Sequence, residues 1–137
     1  MSLFVIGDLH LALSDKSKPM DIFKGWENYM QLLEENWEKN ISPEDTIVLA
    51  GDISWAMNIK NAYDDFYWIN NMPGRKIILK GNHDYWWGSR KKMEDTFSQW
   101  GFDSLFILHN NHFQYEKFGI CGTRGWAVSY THLRAHE

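Results

Sequence analysis

Three short segments of this chain combine residue types that bind metal ions and move protons. They are Gly7-Asp8-Leu9-His10, Gly51-Asp52-Ile53-Ser54 and Gly81-Asn82-His83-Asp84. A carboxylate oxygen and an imidazole nitrogen about 2.0–2.2 Å from one ion are ordinary ligands of first-row metals. Asp8 and His10 are separated by one residue, so in an extended segment both side chains point the same way. Asp52 has two oxygens, enough to bridge two ions, and Asn82 can give its amide oxygen to the second. Two ions roughly 3.5–4 Å apart lower the pKa of a shared water and clamp a phosphoryl group for in-line attack. On this reading His83 is the general acid at the leaving group. Asp84 orients its imidazole or supports its protonated form.

Each of these residues also has a plainer use. An Asp after a strand is often a helix N-cap or an Asx turn, and a lone histidine is usually surface-exposed or hydrogen-bonded. Taken singly, the structural use of Asp8 or Asp52 is the commoner one. The combination favours metal binding, because D-x-H, G-D and G-N-H-D each follow an apolar run, in that order.

Those runs are the elements that must position the site. Residues 2–6, 46–50 and 76–80 have the composition of buried strands, and in open α/β sheets chemistry collects at strand carboxyl ends. Between them, Asp21 suits the N-cap of a helix over about 22–39, with Ile22, Trp26, Tyr29, Leu33 and Trp37 on one face. A second helix is expected over about 58–71, with Ile59, Ala62, Phe66 and Ile69 inward. Ser89 caps a third that runs to about Trp100. The pattern then changes. Residues 105–108 form a short strand, 109–112 a turn, and 113–115 with 118–121 an antiparallel pair. The expected fold is α/β, with parallel β-α-β units passing into antiparallel strands.

With 137 residues there is room for one domain and a core. A net charge of −4 without a basic block argues against a dedicated nucleic-acid surface. Cys121 is the only cysteine, which excludes an internal disulfide and suits a reducing compartment. No apolar run approaches membrane-spanning length, so a cytoplasmic protein without a membrane partner is expected. Of eight tryptophans, Trp55, Trp86, Trp87 and Trp126 lie beside the site segments. Trp86 and Trp87 can wall the site and stack on a ring of the substrate, or simply belong to the core. Arg124 can contact phosphate through paired hydrogen bonds, or serve in a surface ion pair. Ser54 can hydrogen-bond near the metal, or cap a helix.

The three motifs resemble those of the calcineurin-like metallophosphoesterases, and the resemblance covers about residues 3–126. It implies Asp8 and His10 on a first metal, Asp52 bridging, Asn82 on a second, His83 as proton donor or transition-state stabiliser, and Asp84 as its partner. The implied fold is a pair of packed β-sheets flanked by helices, of which this chain holds the N-terminal half. The implied cofactors are two divalent ions, Mn first, with Fe, Zn or Ni as alternatives. The implied reaction is hydrolysis of a small phosphate mono- or diester, and the competing reading is a scaffold that keeps the fold without activity. Gly122-Thr123-Arg124-Gly125-Trp126 resembles a feature of a bacterial branch of predicted phosphohydrolases.

The family supplies further histidine ligands downstream, and no match to them is found here. His109 and His112 suit a solvated turn. His132 and His136 have the i, i+4 spacing that can clip a metal, but 129–137 does not resemble the family and has the character of a non-native tail. The expected domain is therefore 1–128. A domain lacking its later strands is expected to show an apolar sheet face and an open edge, and to be poorly stable.

Overall fold

The computed structural model describes residues 1–13, 20 and 24–123. Four strands form a parallel sheet in chain order: β1 (Leu3–Ile6), β2 (Thr46–Leu49), β3 (Arg75–Ile78) and β4 (Leu105–Ile107). The two central strands are apolar runs because both of their faces are covered. β2 is buried at every position and β3 at every position after Arg75.

One face carries the helices: α1 (Tyr29–Asn40), α2 (Tyr63–Asn71), which a 3₁₀ turn at Ile59–Ala62 leads into, and α3 (Arg90–Trp100). Trp37, Phe66, Ile69, Met93 and Phe97 from these helices join Ile47, Leu49, Ile78 and Ile107 in one core. On the other face, Val48, Ile77 and Leu108 are covered by Phe113 and Ile120. These come from an antiparallel hairpin of β5 (Asn111–Tyr115) and β6 (Phe118–Gly122). The molecule is thus the expected mixed α/β fold. β4 continues the parallel sheet, and the antiparallel pattern begins only at β5.

The caps of α3 fall where the sequence puts them. Ser89 Oγ accepts from Lys92 N at 3.2 Å, and Gly101 ends the helix with φ 77°. The first helix is shorter than expected, starting at Tyr29 rather than near residue 22. Gly25 (φ 90°) and Asn28 (φ 56°) both take left-handed backbone, which a right-handed helix cannot contain. Trp26 is therefore released from the helix and reaches the site. Asn111 and His112, expected in a turn, open β5.

β1 lies at the sheet edge, with Leu3 (41%) and Val5 (68%) exposed. Among the described residues no helix is long and apolar enough to cross a membrane. Asp21, Ile22, Arg124, Trp126, His132, His136 and the whole of 129–137 lie outside the described residues.

Lys76 sits in the apolar core at 0% exposure. Its Nζ donates to the carbonyls of Asn70 and Met72 at the end of α2 and to Ser104 Oγ. Burial holds its pKa down to about 8, against a smaller opposing pull from Asp103. In the unfolded chain the amine keeps its ordinary value of 10.5, so between about pH 8 and 10.5 the unfolded state binds more protons. Folding should therefore gain stability from Lys76 as pH rises through that window, by up to about 3 kcal/mol. Urea melts of wild type and Lys76→Met at intervals from pH 7 to 10.5 should show the difference moving in favour of wild type. A constant difference would contradict the assignment.

Candidate metal centre

The three site segments leave the carboxyl ends of β1, β2 and β3 side by side. The first is laced to the second by backbone bonds: Asp8 N to Gly51 O (3.0 Å), His10 N to Asp52 O (2.9 Å) and Leu11 N to Ile53 O (2.8 Å). Asp8, His10 and Asp52 all have left-handed backbone, at φ 58°, 47° and 51°. Such conformations cost of order 1–3 kcal/mol each in non-glycine residues and persist only where neighbours enforce them. Asp8 and His10 do converge, but through this double left-handed turn rather than an extended segment. Leu9 between them is buried in the core.

The second and third segments meet glycine to glycine. A Cβ on Gly51 would lie 2.7 Å from Gly81 Cα, and one on Gly81 would lie 2.2 Å from Asp52 N and Oδ1. Loosening of the backbone at Gly81, the reason the sequence suggests, is secondary to this close approach. Asp84 holds the contact together. Its carboxylate accepts from Gly81 N (2.6 Å), Asp52 N (2.7 Å), Ile53 N (2.7 Å), Ser54 N (3.3 Å) and Trp86 Nε1 (2.9 Å). Burial pushes the Asp84 carboxyl up, while bonds from Gly81, Ile53, Trp86 and Ser54 pull against that.

The side chains close on one point. His10 Nε2 lies 3.6 Å from Asp8 Oδ1 and 3.9 Å from Asp52 Oδ2. One ligand atom from each of the three residues falls within 4.8 Å of the others. Two donors about 2.1 Å from a common ion are at most about 4.2 Å apart, so both measured separations fit a shared cation. His83 also turns to Asp52, with N 2.9 Å from Oδ1 and Nδ1 3.0 Å from Oδ2. Burial alone would raise the Asp52 carboxyl. The His83 hydrogen bonds and the neighbouring imidazoles outweigh it and hold the group below its ordinary value, hence ionised at neutral pH. The Asn82 amide completes the cluster. With its nitrogen turned to Asp52 it lies 3.3 Å from both carboxylate oxygens. An amide oxygen facing that carboxylate is repelled unless a cation lies between them. The donor set of carboxylates, imidazole and amide thus fits a divalent first-row metal.

The partner assigned to Asp84 changes, and the choice left open at Trp86 and Trp87 takes a definite form. Asp84 does not face the His83 ring, whose Nδ1 is held by Asp52. Asp84 is instead drawn inward, where the backbone donors are. Trp86 is no wall of the site. At 2% exposure it packs on Phe66 at 4.8 Å and gives its N–H to Asp84, because an indole that close to a buried carboxylate is better used as a donor. Trp87 is half-buried between Trp86 and His109, along a cleft of about 430 Å³ shared with Met57, Tyr85, Lys92 and Trp100. The aromatic wall is built by others. Trp55 stacks on the His10 ring at 5.1 Å and approaches His83 at 5.4 Å, and Trp26 sets its edge 6.0 Å from His10. No sequence signal placed Trp26 here, because its spacing fits a helix face that never forms. Asp65 was missed as well, although its position was informative: it lies between Ala62 and Ile69 on the buried stripe of α2.

The family model of the calcineurin-like phosphoesterases matches residues 1–133, running past Val128. The chain belongs to that family. It is 30% identical over 83 residues to the Gene 66 protein of Mycobacterium phage D29, covering 61% of this chain and 40% of that one. Over 77 residues it is 30% identical to the Gene 66 protein of Mycobacterium phage L5, covering 56% and 37%. The match thus spans about two fifths of the length of these relatives. A crystal structure of a protein of unknown function from Aquifex aeolicus is 27% identical with a TM-score of 0.47, over 87% of this chain and 58% of that one.

The glycine contact gives a sharp test. Gly81→Ala should lower stability by about 2–4 kcal/mol and weaken divalent metal binding, because the methyl must displace Asp52. Asp84→Ala should cost at least about 3 kcal/mol by stranding its buried donors. Thermal melts with and without Mn²⁺ report both, and a wild-type profile for Gly81→Ala would refute the packing argument.

Proposed function

We propose that this chain carries the catalytic half-site of a dinuclear metal-dependent phosphohydrolase acting on a small phosphate mono- or diester in the cytoplasm. The observation that carries the reading is the convergence of Asp8, His10 and Asp52 on one point, with Asn82 and His83 both gathered on the Asp52 carboxylate. Asp8, His10 and Asp52 would hold one cation, and Asp52 with Asn82 a second. Manganese is expected first, while iron, zinc and nickel suit the same donors. Bound cations supply Lewis acidity and lower the pKa of water.

The chain's own groups do the rest. Asp52, ionised at neutral pH, would offer its oxygens to the cations, and it orients His83 through Nδ1. The His83 side chain is 40% exposed, and Nε2, the ring nitrogen not bonded to Asp52, is the one that would meet a substrate. From there it gives a proton to the departing oxygen as the phosphorus–oxygen bond breaks. Trp55 and Trp26 exclude water from one side of His10 and fix its ring. Arg124 remains a proposed phosphate contact.

Hydrolysis of p-nitrophenyl phosphate and bis-p-nitrophenyl phosphate with added Mn²⁺ tests the proposal. Wild type should turn over at least one, His83→Ala should lose about 10²–10⁴ in kcat, and Asp52→Asn should lose the Mn²⁺ dependence. Rates that ignore metal, or that survive both substitutions, would refute it.

A further inference from the structure

We propose that Asp65, on helix α2, is a positioning residue for the metal centre: its carboxylate ties the Asp8–His10 segment to the Asp52 segment from beneath. The proposal rests on the metal-centre reading above. Asp65 is 1% exposed and lies among the buried residues of α2 beside Phe66; an acid in the first turn suits the helix dipole, but one so fully buried must have its oxygens bonded. Its two oxygens are directed to different segments. Oδ1 accepts from Leu13 N at 2.8 Å, three residues beyond His10. Oδ2 accepts from Ser54 Oγ at 2.6 Å, two residues beyond Asp52. Ser54 Oγ in turn accepts from Ala56 N at 3.1 Å, which fixes the hydroxyl and its proton toward Asp65.

The stretch between these anchors is where the ligands are set. Leu11 and Ser54 form an isolated parallel bridge, and Trp55 N returns to Leu11 O at 2.9 Å. Asp8 and His10 need their left-handed backbone enforced from outside, since neither is a glycine. Asp84 secures the second segment against the third, and Asp65 secures the first against the second. A metal site tolerates displacements of about 0.5 Å in its ligands, so slack at Leu13 and Ser54 would be felt at His10 and Asp8. Groups that orient metal ligands in this way typically account for about 10–100-fold in affinity.

The test is a Mn²⁺ titration of the full chain followed by electron paramagnetic resonance, with the metal-free melting temperature measured alongside. Asp65→Leu keeps the site buried but removes the bonds to Leu13 and Ser54, and its Mn²⁺ dissociation constant should rise about 10–100-fold with a broadened signal. Ser54→Ala removes the Ser54 bond alone, keeps the helix intact and should raise the constant about 3–10-fold. It also gives the answer if Asp65→Leu does not fold. Ile69→Ala, buried on the same stripe without a bond to either segment, should lower the melting temperature and leave the constant within about twofold. Wild-type affinity in Asp65→Leu or in Ser54→Ala overturns the proposal, as does equal weakening in Ile69→Ala, which would make the effect one of stability alone. Asp8→Ala separates this from the reading beneath it. If Asp8→Ala binds Mn²⁺ as wild type does, or wild type binds none, the metal centre itself is wrong.

Discussion

A buried carboxylate bonded to backbone amides holds the site together. Asp84 is enclosed among backbone amides of the segments leaving β2 and β3, and it satisfies donors that the Gly51–Gly81 approach leaves without strand partners. Buried amides must be bonded, and no side chain of neutral charge accepts so many at once. The position of Asp52 follows from this, since its own N–H is one of those donors. The positions of His83 and Asn82 follow in turn, since both are gathered on the Asp52 carboxylate.

The architecture places the expense where the chemistry needs it. Central strands buried on both faces give a rigid base, with helices over one side and the β5–β6 hairpin over the other. At the strand ends three ligand-bearing residues hold left-handed backbone. Those conformations are tolerated because parallel hydrogen bonding continues past the strands, from Asp8 through Leu11, and fixes one segment on the next. Like charges brought together without a cation repel, and Asp8 and Asp52, with carboxylate oxygens within 4.8 Å of one another, are a pair that a bound divalent ion would relieve.

Much of this was legible in the sequence. The apolar runs ending in Gly-Asp or Gly-Asn gave three strands and their order. The alternation with helical spacing gave parallel crossovers, and the residue types gave the donors Asp8, His10, Asp52 and Asn82. The extent of α1 was not legible, because periodicity cannot report that Gly25 and Asn28 adopt positive φ. The partner of His83 was misjudged because neighbours in sequence were taken for neighbours in space. Asp84 follows His83 directly, yet its side chain turns the other way. For the two tryptophans after it the sequence left wall and core both open; Trp55 was legible beside its segment, whereas Trp26 arrives from elsewhere in the chain.

The sequence by itself determined which groups are available and in what order the strands deliver them, because residue type and hydrophobic period are local properties. Only the tertiary structure decided which acids converge where a cation could bind and which acid binds backbone. Asp8, Asp52, Asp65 and Asp84 are chemically the same side chain. What distinguishes them is whether each carboxylate faces a histidine ring or a closed set of N–H and O–H donors, and that depends on how the segments pack.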